Sequence, residues 1–154
     1  MSKYTCTSGL LSHQRNNDGK ISLIAVYGNW LNSEQWDYYC TFTTRYQLTL
    51  KAARRSMEKL HSLISMKYGF APKLFWVAEP FDTKYGCHVH ALIEVHNKLL
   101  TNKTDIRNAW QVVSKGKGLK EYNNTTIKDY DNLKGGHFYL SKYLQRSNAD
   151  YDIF

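Results

Sequence analysis

The stretch LFWVAEPFDTKYGCHVHALIEV, residues 74–95, decides the fold of this 154-residue chain. Residues 74–79 and 88–95 are rich in aromatic and β-branched side chains, and a polar segment between Pro80 and Gly86 separates them. Two such runs joined by a short polar loop pair as antiparallel strands. The stretch therefore predicts a β-hairpin.

Two histidines stand at the start of the second strand of this hairpin. Alternate residues of a strand point to the same face, so His88 and His90 project together and Val89 projects to the other side. The two imidazoles then either lie on a solvated face, bound to neighbouring backbone groups, or reach one metal ion. A motif of three residues leaves both interpretations open.

Acidic residues near the histidines favour the metal ion. Glu79 ends the preceding strand, and antiparallel pairing across a short loop brings it beside His88. Two imidazoles and a carboxylate suit Mg²⁺ or Mn²⁺ shared with a phosphate, although histidine ligands also take Zn²⁺. Asp82 in the loop and Glu94 on the face of the histidines are the substitute candidates, and the alternative is that Glu79 is a surface carboxylate.

The elements before the hairpin are a strand and a helix. WDYYCTFTT, residues 36–44, alternates apolar and polar side chains in its second half and predicts a strand. Apolar residues then recur every three to four positions from residue 50 to residue 68, between Thr49 as N-cap and Gly69 as C-cap. This pattern predicts a long amphipathic helix.

The elements after the hairpin are a helix, a strand and a second helix. NKTDIRNAWQVV, residues 102–113, predicts a helix capped by Asn102 or Thr104. The β-branched residues of TTIKDY, residues 125–130, predict a fourth strand. HFYLSKYLQR, residues 137–146, predicts a helix after a Gly-Gly break.

The order of these elements from residue 36 is β, α, β, β, α, β, α. Without its last helix, this is the split βαβ or ferredoxin-like order, an α+β fold whose antiparallel sheet carries helices on one face. The length predicts a single domain. We expect this domain at residues 36–154 and an N-terminal extension at residues 1–35, in which ISLIAVYG, residues 21–28, forms a strand or short hairpin.

The composition favours a globular protein with a polyanionic partner. The formal net charge is +8, and nucleic acid is the commonest partner of such a chain, the alternative being a basic protein without one. No run of about 18 apolar residues spans a membrane and no signal-peptide core opens the chain, so we expect an intracellular, cytoplasmic protein. Cys6, Cys40 and Cys87 have no paired spacing, which predicts reduced thiols rather than a disulfide framework or a zinc knuckle.

A tyrosine pair lies in the last predicted helix. Tyr139 and Tyr143 are four residues apart and share a face, with Lys142 one step round from both. A phenol has a pKa near 10 and attacks only with a base or a positive environment that stabilises the phenolate, which Lys142 and a metal ion supply. The alternative is a core-facing stripe of two tyrosines. Together with the histidine strand, the pair predicts phosphoryl transfer with a tyrosine nucleophile.

Three motifs in this order resemble those of a known family. YCTFTT at residues 39–44, HVH at 88–90 and YLSKYL at 139–144 resemble the motifs of HUH endonucleases, specifically the rolling-circle replication initiators. These are the Rep proteins of plasmids and of single-stranded DNA viruses or phages. The resemblance covers residues 36–146, and the predicted element order matches the fold of that family.

The resemblance implies a nick in single-stranded DNA at a replication origin. A tyrosine attacks the scissile phosphodiester, becomes joined to the 5′ phosphate and frees a 3′ hydroxyl. His88 and His90 hold the divalent metal, Mg²⁺ or Mn²⁺, and Glu79 matches the upstream acidic ligand of viral initiators.

The resemblance leaves two candidates for the nucleophile. Tyr139 with Lys142 fits the Y-x-x-K of single-tyrosine initiators. Tyr139 with Tyr143 fits the Y-x-x-x-Y of small-phage A proteins, which use two nucleophiles alternately, and some plasmid initiators place the nucleophile at the position of Tyr143. Tyr139 is favoured, and Tyr143 is the alternative.

The partners implied are single-stranded origin DNA in a stem-loop, a host polymerase and a helicase. No Walker-type phosphate loop occurs in the sequence, so we expect the helicase to be a separate protein or a part of the gene outside this chain. Basic residues of the first predicted helix and of the loop after residue 114 are candidate phosphate contacts, the alternative being a solvated face. They are Lys51, Arg54, Arg55 and Lys59 on the helix and Lys115, Lys117 and Lys120 in the loop. Trp36, Tyr38 and Tyr85 are candidates for stacking on bases.

Two other functions stay open for this sequence. A small HUH transposase acting on hairpin-ended elements has the same H-x-H motif and size, but the Tyr-Lys-Tyr helix and the FTT strand fit initiators better. A non-catalytic single-strand nucleic-acid-binding module on a ferredoxin-like sheet would leave the histidines incidental. A covalent protein–DNA adduct separates both enzymes from the binding module.

Overall fold

Five antiparallel strands form one sheet in the computed structural model, which describes residues 23–115, 125–146 and 148–154. The strands are β1 Tyr38–Phe42, β2 Lys73–Pro80, β3 Cys87–Glu94, β4 Thr126–Asp129 and β5 Asp150–Ile153. Their order across the sheet is β4-β1-β3-β2-β5, so β3 is central. The predicted α+β class and antiparallel sheet are confirmed, and the order of the first four strands is compatible with a ferredoxin-like fold.

Four α-helices accompany the sheet within the described ranges. They are α1 Leu23–Ser33, α2 Leu50–Tyr68, α3 Lys103–Ser114 and α4 Gly136–Ser141. Short 3-10 helices at Asn132–Lys134 and Lys142–Gln145 lie on either side of α4. The helix expected at residues 137–146 is therefore α-helical only up to Ser141, and a 3-10 helix follows from Lys142.

The predicted caps explain where the long helices begin and end. The Thr49 hydroxyl accepts a hydrogen bond from the Ala52 N–H before α2, and Gly69 ends the helix with a φ of 75°, a conformation that favours glycine. Asn102 caps α3 in a reciprocal capping box with Asp105, so Asn102 rather than Thr104 is the cap.

The central hairpin has the register that the sequence predicts. β2 and β3 pair over their full length, with Glu79 opposite His88 and Val77 opposite His90. Gly86 closes the loop with a φ of 103°, and its carbonyl accepts a hydrogen bond from the Phe81 N–H. β1 flanks β3 on the other side, with Thr41 opposite His90.

Helices cover both faces of the sheet, which corrects the expected single layer. α2 and α3 pack on one face, over a core that includes the fully buried Trp76 and Trp110. The other face carries a smaller core beneath α1 and α4, formed by Leu31, Trp36, Phe75, Val77, Leu92, Leu140 and Tyr143. His88 and His90 alternate with Val89 of the first core, so they belong to the face of α1 and α4.

The strand or hairpin expected at residues 21–28 is wrong for the part that is described, because residues 23–33 form α1. Ile24, Tyr27, Gly28 and Leu31 recur at helical spacing; of these, Leu31 belongs to the smaller core and Gly28 lies against Phe138 of α4. The helical spacing includes Leu31, which lies outside the stretch ISLIAVYG. Taken alone, that stretch is apolar and rich in β-branched residues, a composition typical of a strand. Residues 1–22 lie outside the described residues.

The C-terminal strand β5 was not predicted. β5 pairs with the edge of β2, and the Arg54 guanidinium of α2 binds its Asp150 at 2.6 Å and its Asp152 at 2.5 Å, which connects the strand to α2. Cys40 and Cys87 are buried free thiols in β1 and β3. Within the described ranges, no helix combines the length and the apolar character needed to cross a membrane.

Candidate functional site

Three side chains converge where β2 ends and β3 begins. The Glu79 Oε2 atom lies 2.9 Å from the Nε2 atom of His88 and 2.9 Å from that of His90. The two Nε2 atoms are 2.8 Å apart. The three donor atoms therefore form a nearly equilateral triangle, on side chains that are 8–22% exposed.

Hydrogen bonds alone cannot account for all three of these contacts. Each imidazole Nε2 carries at most one proton, which points along the ring plane toward one partner, so two imidazoles and one carboxylate oxygen cannot fill all three contacts. In an octahedral site with ligands at about 2.0–2.1 Å, neighbouring ligand atoms lie about 2.8–3.0 Å apart. The spacing fits one face of such an octahedron, and Glu79, His88 and His90 can hold a divalent metal ion.

The protonation states suit metal ligation. Burial, followed by the charge of His88, lowers the pKa of His90 from 6.5 to about 4, so this ring is neutral at pH 7. Burial works to raise the pKa of Glu79, but hydrogen bonds with Tyr143 and His90 and the charges of both histidines outweigh it and lower that pKa. Glu79 is therefore ionised at neutral pH.

Two hydroxyls of β1 hold the far side of the His90 ring. The Tyr39 Oη and Thr41 Oγ1 atoms each lie 3.2 Å from the His90 Nδ1 atom. When Nε2 faces an ion, Nδ1 carries the proton and donates it to one of these oxygens, which fixes the ring orientation. The sequence prediction missed this role. The available signal was that Tyr39 and Thr41 share one face of a strand within the first motif.

The two candidate tyrosines occupy different environments. The Tyr139 side chain is 39% exposed, and its hydroxyl lies 3.5 Å from Glu79 Oε2, the oxygen that contacts both histidines. Tyr143 is only 1% exposed and its ring stacks on that of His90. Burial, then hydrogen bonding to Glu79, raises the pKa of Tyr143. Only Tyr139 combines exposure with proximity to the donor triangle.

Lys142 lies over both tyrosine rings. Its Nζ atom is 3.9 Å from the ring centre of Tyr139 and 4.7 Å from that of Tyr143. An ammonium ion over the π-face adds a positive charge beside the phenols without blocking the hydroxyl of Tyr139. The structure thus brings together the residues predicted from the sequence as metal ligands, nucleophile candidates and cation.

The substitute ligands lie apart from the triangle. Asp82 is on the exposed loop, with its side chain 89% accessible, and faces Arg146 at 3.9 Å. Glu94 sits at the other end of β3, paired with Lys73 at 2.6 Å. In the part of the chain that the structure describes, these residues contribute nothing to the cluster around the histidines.

The candidate DNA contacts on α2 do not line the site. Lys51, Arg55 and Lys59 are exposed on a helix that covers the opposite face of the sheet, and Arg54 is engaged with Asp150 and Asp152. In the loop after α3, Lys115 caps the helix end and Lys117 and Lys120 lie outside the described residues.

The candidate stacking aromatics also differ from one another. Trp36 is buried and its indole N–H donates to the Leu31 carbonyl, and Tyr38 is buried in the first core. Tyr85, in the loop between β2 and β3, is 86% exposed. Of the three, only Tyr85 offers its ring to a partner.

Comparisons with known proteins add no relative. No protein-family model matches the chain, and no curated protein or solved structure matches it either. The interpretation of the site therefore depends on its own geometry.

Proposed function

We propose that this protein is a metal-dependent endonuclease that nicks and rejoins single-stranded DNA through a covalent 5′-phosphotyrosine. The observation that carries the proposal is the position of Tyr139. An exposed phenol lies 3.5 Å from the carboxylate oxygen on which two imidazoles converge. A nucleophile beside a cation site, in a chain of net charge +8, is the arrangement that cleavage of a phosphodiester needs.

The proposed ion is Mg²⁺ or Mn²⁺. Two imidazoles and a carboxylate form a mixed donor set that suits Mg²⁺ or Mn²⁺ shared with a phosphate. Glu79, His88 and His90 would hold the ion. The bound ion supplies a Lewis acid for the phosphate oxygens.

In the proposed cleavage step, the phosphoryl group passes from the 3′ oxygen of the DNA to the Tyr139 oxygen. The Tyr139 phenol loses its proton to water, and its oxygen bonds to the phosphorus while the bond from phosphorus to the 3′ oxygen breaks. The departing 3′ oxygen takes up a proton and becomes a hydroxyl. Lys142, over the Tyr139 ring, stabilises the developing phenolate charge. Attack of a 3′ hydroxyl on the phosphotyrosine reverses these changes and joins the strand.

Tyr139, rather than Tyr143, is the proposed nucleophile. Its hydroxyl is accessible, while Tyr143 is buried against His90 with a raised pKa. A phosphodiester reaches Tyr143 only if the helix moves. Tyr143 instead stacks on His90, and hydrogen bonding with its hydroxyl lowers the pKa of Glu79.

We further propose that the reaction initiates rolling-circle replication, as the resemblance to Rep proteins implies. The DNA is then a stem-loop at a replication origin, and a separate helicase and a host polymerase act with the protein in the cytoplasm. The candidate metal ligands lie on β2 and β3, and the candidate tyrosines lie on residues 136–145, that is, α4 and the 3-10 helix after it, which we call the tyrosine helix. The Tyr-Lys-Tyr spacing of this helix and the FTT strand fit an initiator better than a transposase that exchanges catalytic helices between two copies.

A covalent adduct tests the proposal. We would incubate the protein with 3′-labelled randomised single strands and Mn²⁺, and detect labelled protein on a denaturing gel. We expect an adduct with wild type and Tyr143→Phe, and none with Tyr139→Phe or in EDTA. The proposal fails if no strand gives an adduct, or if Tyr139→Phe forms one as readily as wild type. In the first case, a non-catalytic binding module becomes the better interpretation.

A further inference from the structure

A cavity of about 420 Å³ opens beside the donor triangle, between the β1–β4 edge of the sheet and the tyrosine helix. His90 and Tyr139 form its inner wall, so the cavity is continuous with the proposed reaction centre. Tyr39, Tyr130, Lys128 and Lys134 form most of the remaining wall. Its size falls within the range of pockets that accept small organic groups.

The cavity wall is aromatic, and the hydroxyls of its tyrosines are already engaged. Tyr39 contacts the His90 Nδ1 atom at 3.2 Å, and Tyr130 contacts the Nδ1 atom of the buried His137 at 2.8 Å. These contacts fix the rings and leave their faces as the surface available to a ligand. Gly136 lets the tyrosine helix approach closely, because a Cβ atom there would lie 3.0 Å from the Tyr39 ring.

Two lysines and two aspartates line the cavity, and one of the lysines forms no ion pair within the described residues. Lys128 lies opposite Tyr39 in the sheet, is exposed, and forms no ion pair with any described residue. Lys134 is 81% exposed and faces Asp131 at 3.4 Å. Asp129 is engaged with Lys103, and Asp131 also accepts a hydrogen bond from the Leu133 N–H. The carboxylates near the cavity are therefore partnered, and one lysine is not.

We propose that this cavity binds one unpaired nucleotide of the substrate strand, the one that adjoins the scissile phosphate. Its base stacks on the fixed rings of Tyr39 and Tyr130, and its phosphate contacts Lys128 and Lys134. The cavity thereby sets the position of the strand over Tyr139. This inference rests on the proposed function for the identity of the strand, but its tests measure binding and need no cleavage.

The stacking role is tested at Tyr130 by fluorescence anisotropy. The ligand is a fluorescein-labelled random single strand of roughly 12 nucleotides, in EDTA so that no cleavage occurs. Tyr130→Ala removes the ring, and Tyr130→Phe keeps the ring but loses the bond to His137. We expect the dissociation constant to rise roughly fivefold to a hundredfold for Tyr130→Ala and to change less than about twofold for Tyr130→Phe. Equal affinities of the two variants would overturn the stacking role.

The phosphate contacts are tested by salt dependence, with variants that leave the core untouched. Each phosphate contact to a single strand contributes about 0.7 to the slope of log affinity against log salt. We expect Lys128→Gln with Lys134→Gln to lower this slope by about 1.4. The control is Lys67→Gln, at an exposed lysine of α2 on the opposite face of the sheet, which should leave the slope at the wild-type value. A slope for Lys128→Gln with Lys134→Gln equal to that of the control would overturn the proposed contacts.

The two proposals fail separately. If both cavity variants weaken binding but wild type forms no adduct with any strand, the cavity remains a nucleotide site and the nickase proposal falls. If wild type forms the adduct while the cavity variants bind and cleave like the controls, the nickase stands and the nucleotide site falls. Thermal unfolding of each variant verifies that the changes in binding do not reflect unfolded protein.

Discussion

His90 has a fixed partner on every side of its ring. Its Nε2 atom faces Glu79 and its Nδ1 atom faces two hydroxyls of β1. The ring itself lies between the edge-on ring of Tyr139 and the stacked ring of Tyr143. The imidazole is thus oriented before any ion arrives, so metal binding does not require ordering of this ligand.

The burial of His90 predicts a loss of stability in mild acid. Its pKa is about 4 in the folded chain and near 6.5 in the unfolded chain. Between these values the unfolded chain binds a proton here and the folded chain does not, so the free energy of unfolding falls as the pH falls. In EDTA, we expect this residue to lower stability by about 2 kcal/mol from pH 7 to pH 5.

Urea denaturation of wild type and His90→Asn at several pH values isolates this effect. The carboxylate Glu79 does not interfere in that window, because its lowered pKa makes its stabilising contribution disappear only at a lower pH. His90→Asn should show a flatter dependence of stability on pH between 7 and 5 than wild type. Parallel curves would contradict a neutral, buried imidazole.

Tyr143 is expected to act on metal affinity rather than on attack. Hydrogen bonding with its hydroxyl lowers the pKa of Glu79, one of the three candidate ligands. Loss of a residue that orients a metal ligand typically weakens binding roughly tenfold to a hundredfold. We therefore expect Tyr143→Phe to raise the dissociation constant of Mn²⁺ by that factor, measured by calorimetry. Tyr85→Phe, on an exposed loop, is the matched control, and equal affinities of both variants would refute the role.

For single residues, the sequence predicts the candidate metal ligands but not the hydroxyls that orient them. The period of two along β3 and the register of one hairpin are enough to bring Glu79 beside His88 and His90. The hydroxyls of Tyr39 and Thr41 reach His90 only because β1 lies next to β3. The order of strands across a sheet depends on tertiary packing, which local patterns do not contain.

Among the elements, the position of the tyrosine helix depends on its packing against α1. α4 has six residues, too few to be stable alone, and depends on contacts with α1 and the sheet. Leu31 of α1 and Leu140 of α4 share the smaller core. The two helices lie close together at Gly28, where a Cβ atom would lie 2.3 Å from the ring of Phe138, the neighbour of Tyr139.

This close approach predicts an unusual result for Gly28→Ala. In a helix interior the change to alanine normally stabilises by about 1 kcal/mol. Here the added methyl displaces the Phe138 ring, and we expect a loss of about 1–3 kcal/mol, with slower adduct formation at Tyr139. Thermal unfolding measures the loss. The double variant Gly28→Ala with Phe138→Ala should recover most of it, and a more stable single variant would contradict the packing.

The elements that the sequence mispredicts are those with the shortest local patterns. α2 has 19 residues with a cap at each end and was predicted to the residue. The stretch ISLIAVYG is β-branched in composition, and its helical period emerges only with Leu31 included. β5 has four residues and depends on Arg54, a partner 96 positions away from Asp150. Such distant partners leave no trace in a short window of sequence.

In the molecule as a whole, the larger core and the candidate site lie on opposite faces of one sheet. α2 and α3 complete the larger core on one face, and the candidate metal ligands, the tyrosine helix and the cavity occupy the other. The sequence predicts this separation, because His88 and His90 alternate with Val89 along the strand and therefore lie on the opposite face. The basic residues of α2 were nevertheless expected at the DNA, because charge along a helix does not reveal which face of the sheet it covers.

Metal binding should stabilise the whole chain, because the donor triangle joins both strands of the hairpin to the tyrosine helix. An ion that binds only the folded state at about 100 times its dissociation constant adds about 2.7 kcal/mol. For a chain of this size we expect Mn²⁺ to raise Tm by roughly 5–10 °C relative to EDTA. His88→Ala with His90→Ala should remain folded and lose this increase, while Tyr139→Phe, which keeps all three ligands, should retain it. If the double variant is stabilised by Mn²⁺ as much as wild type, the ion binds elsewhere and the site is not a metal centre.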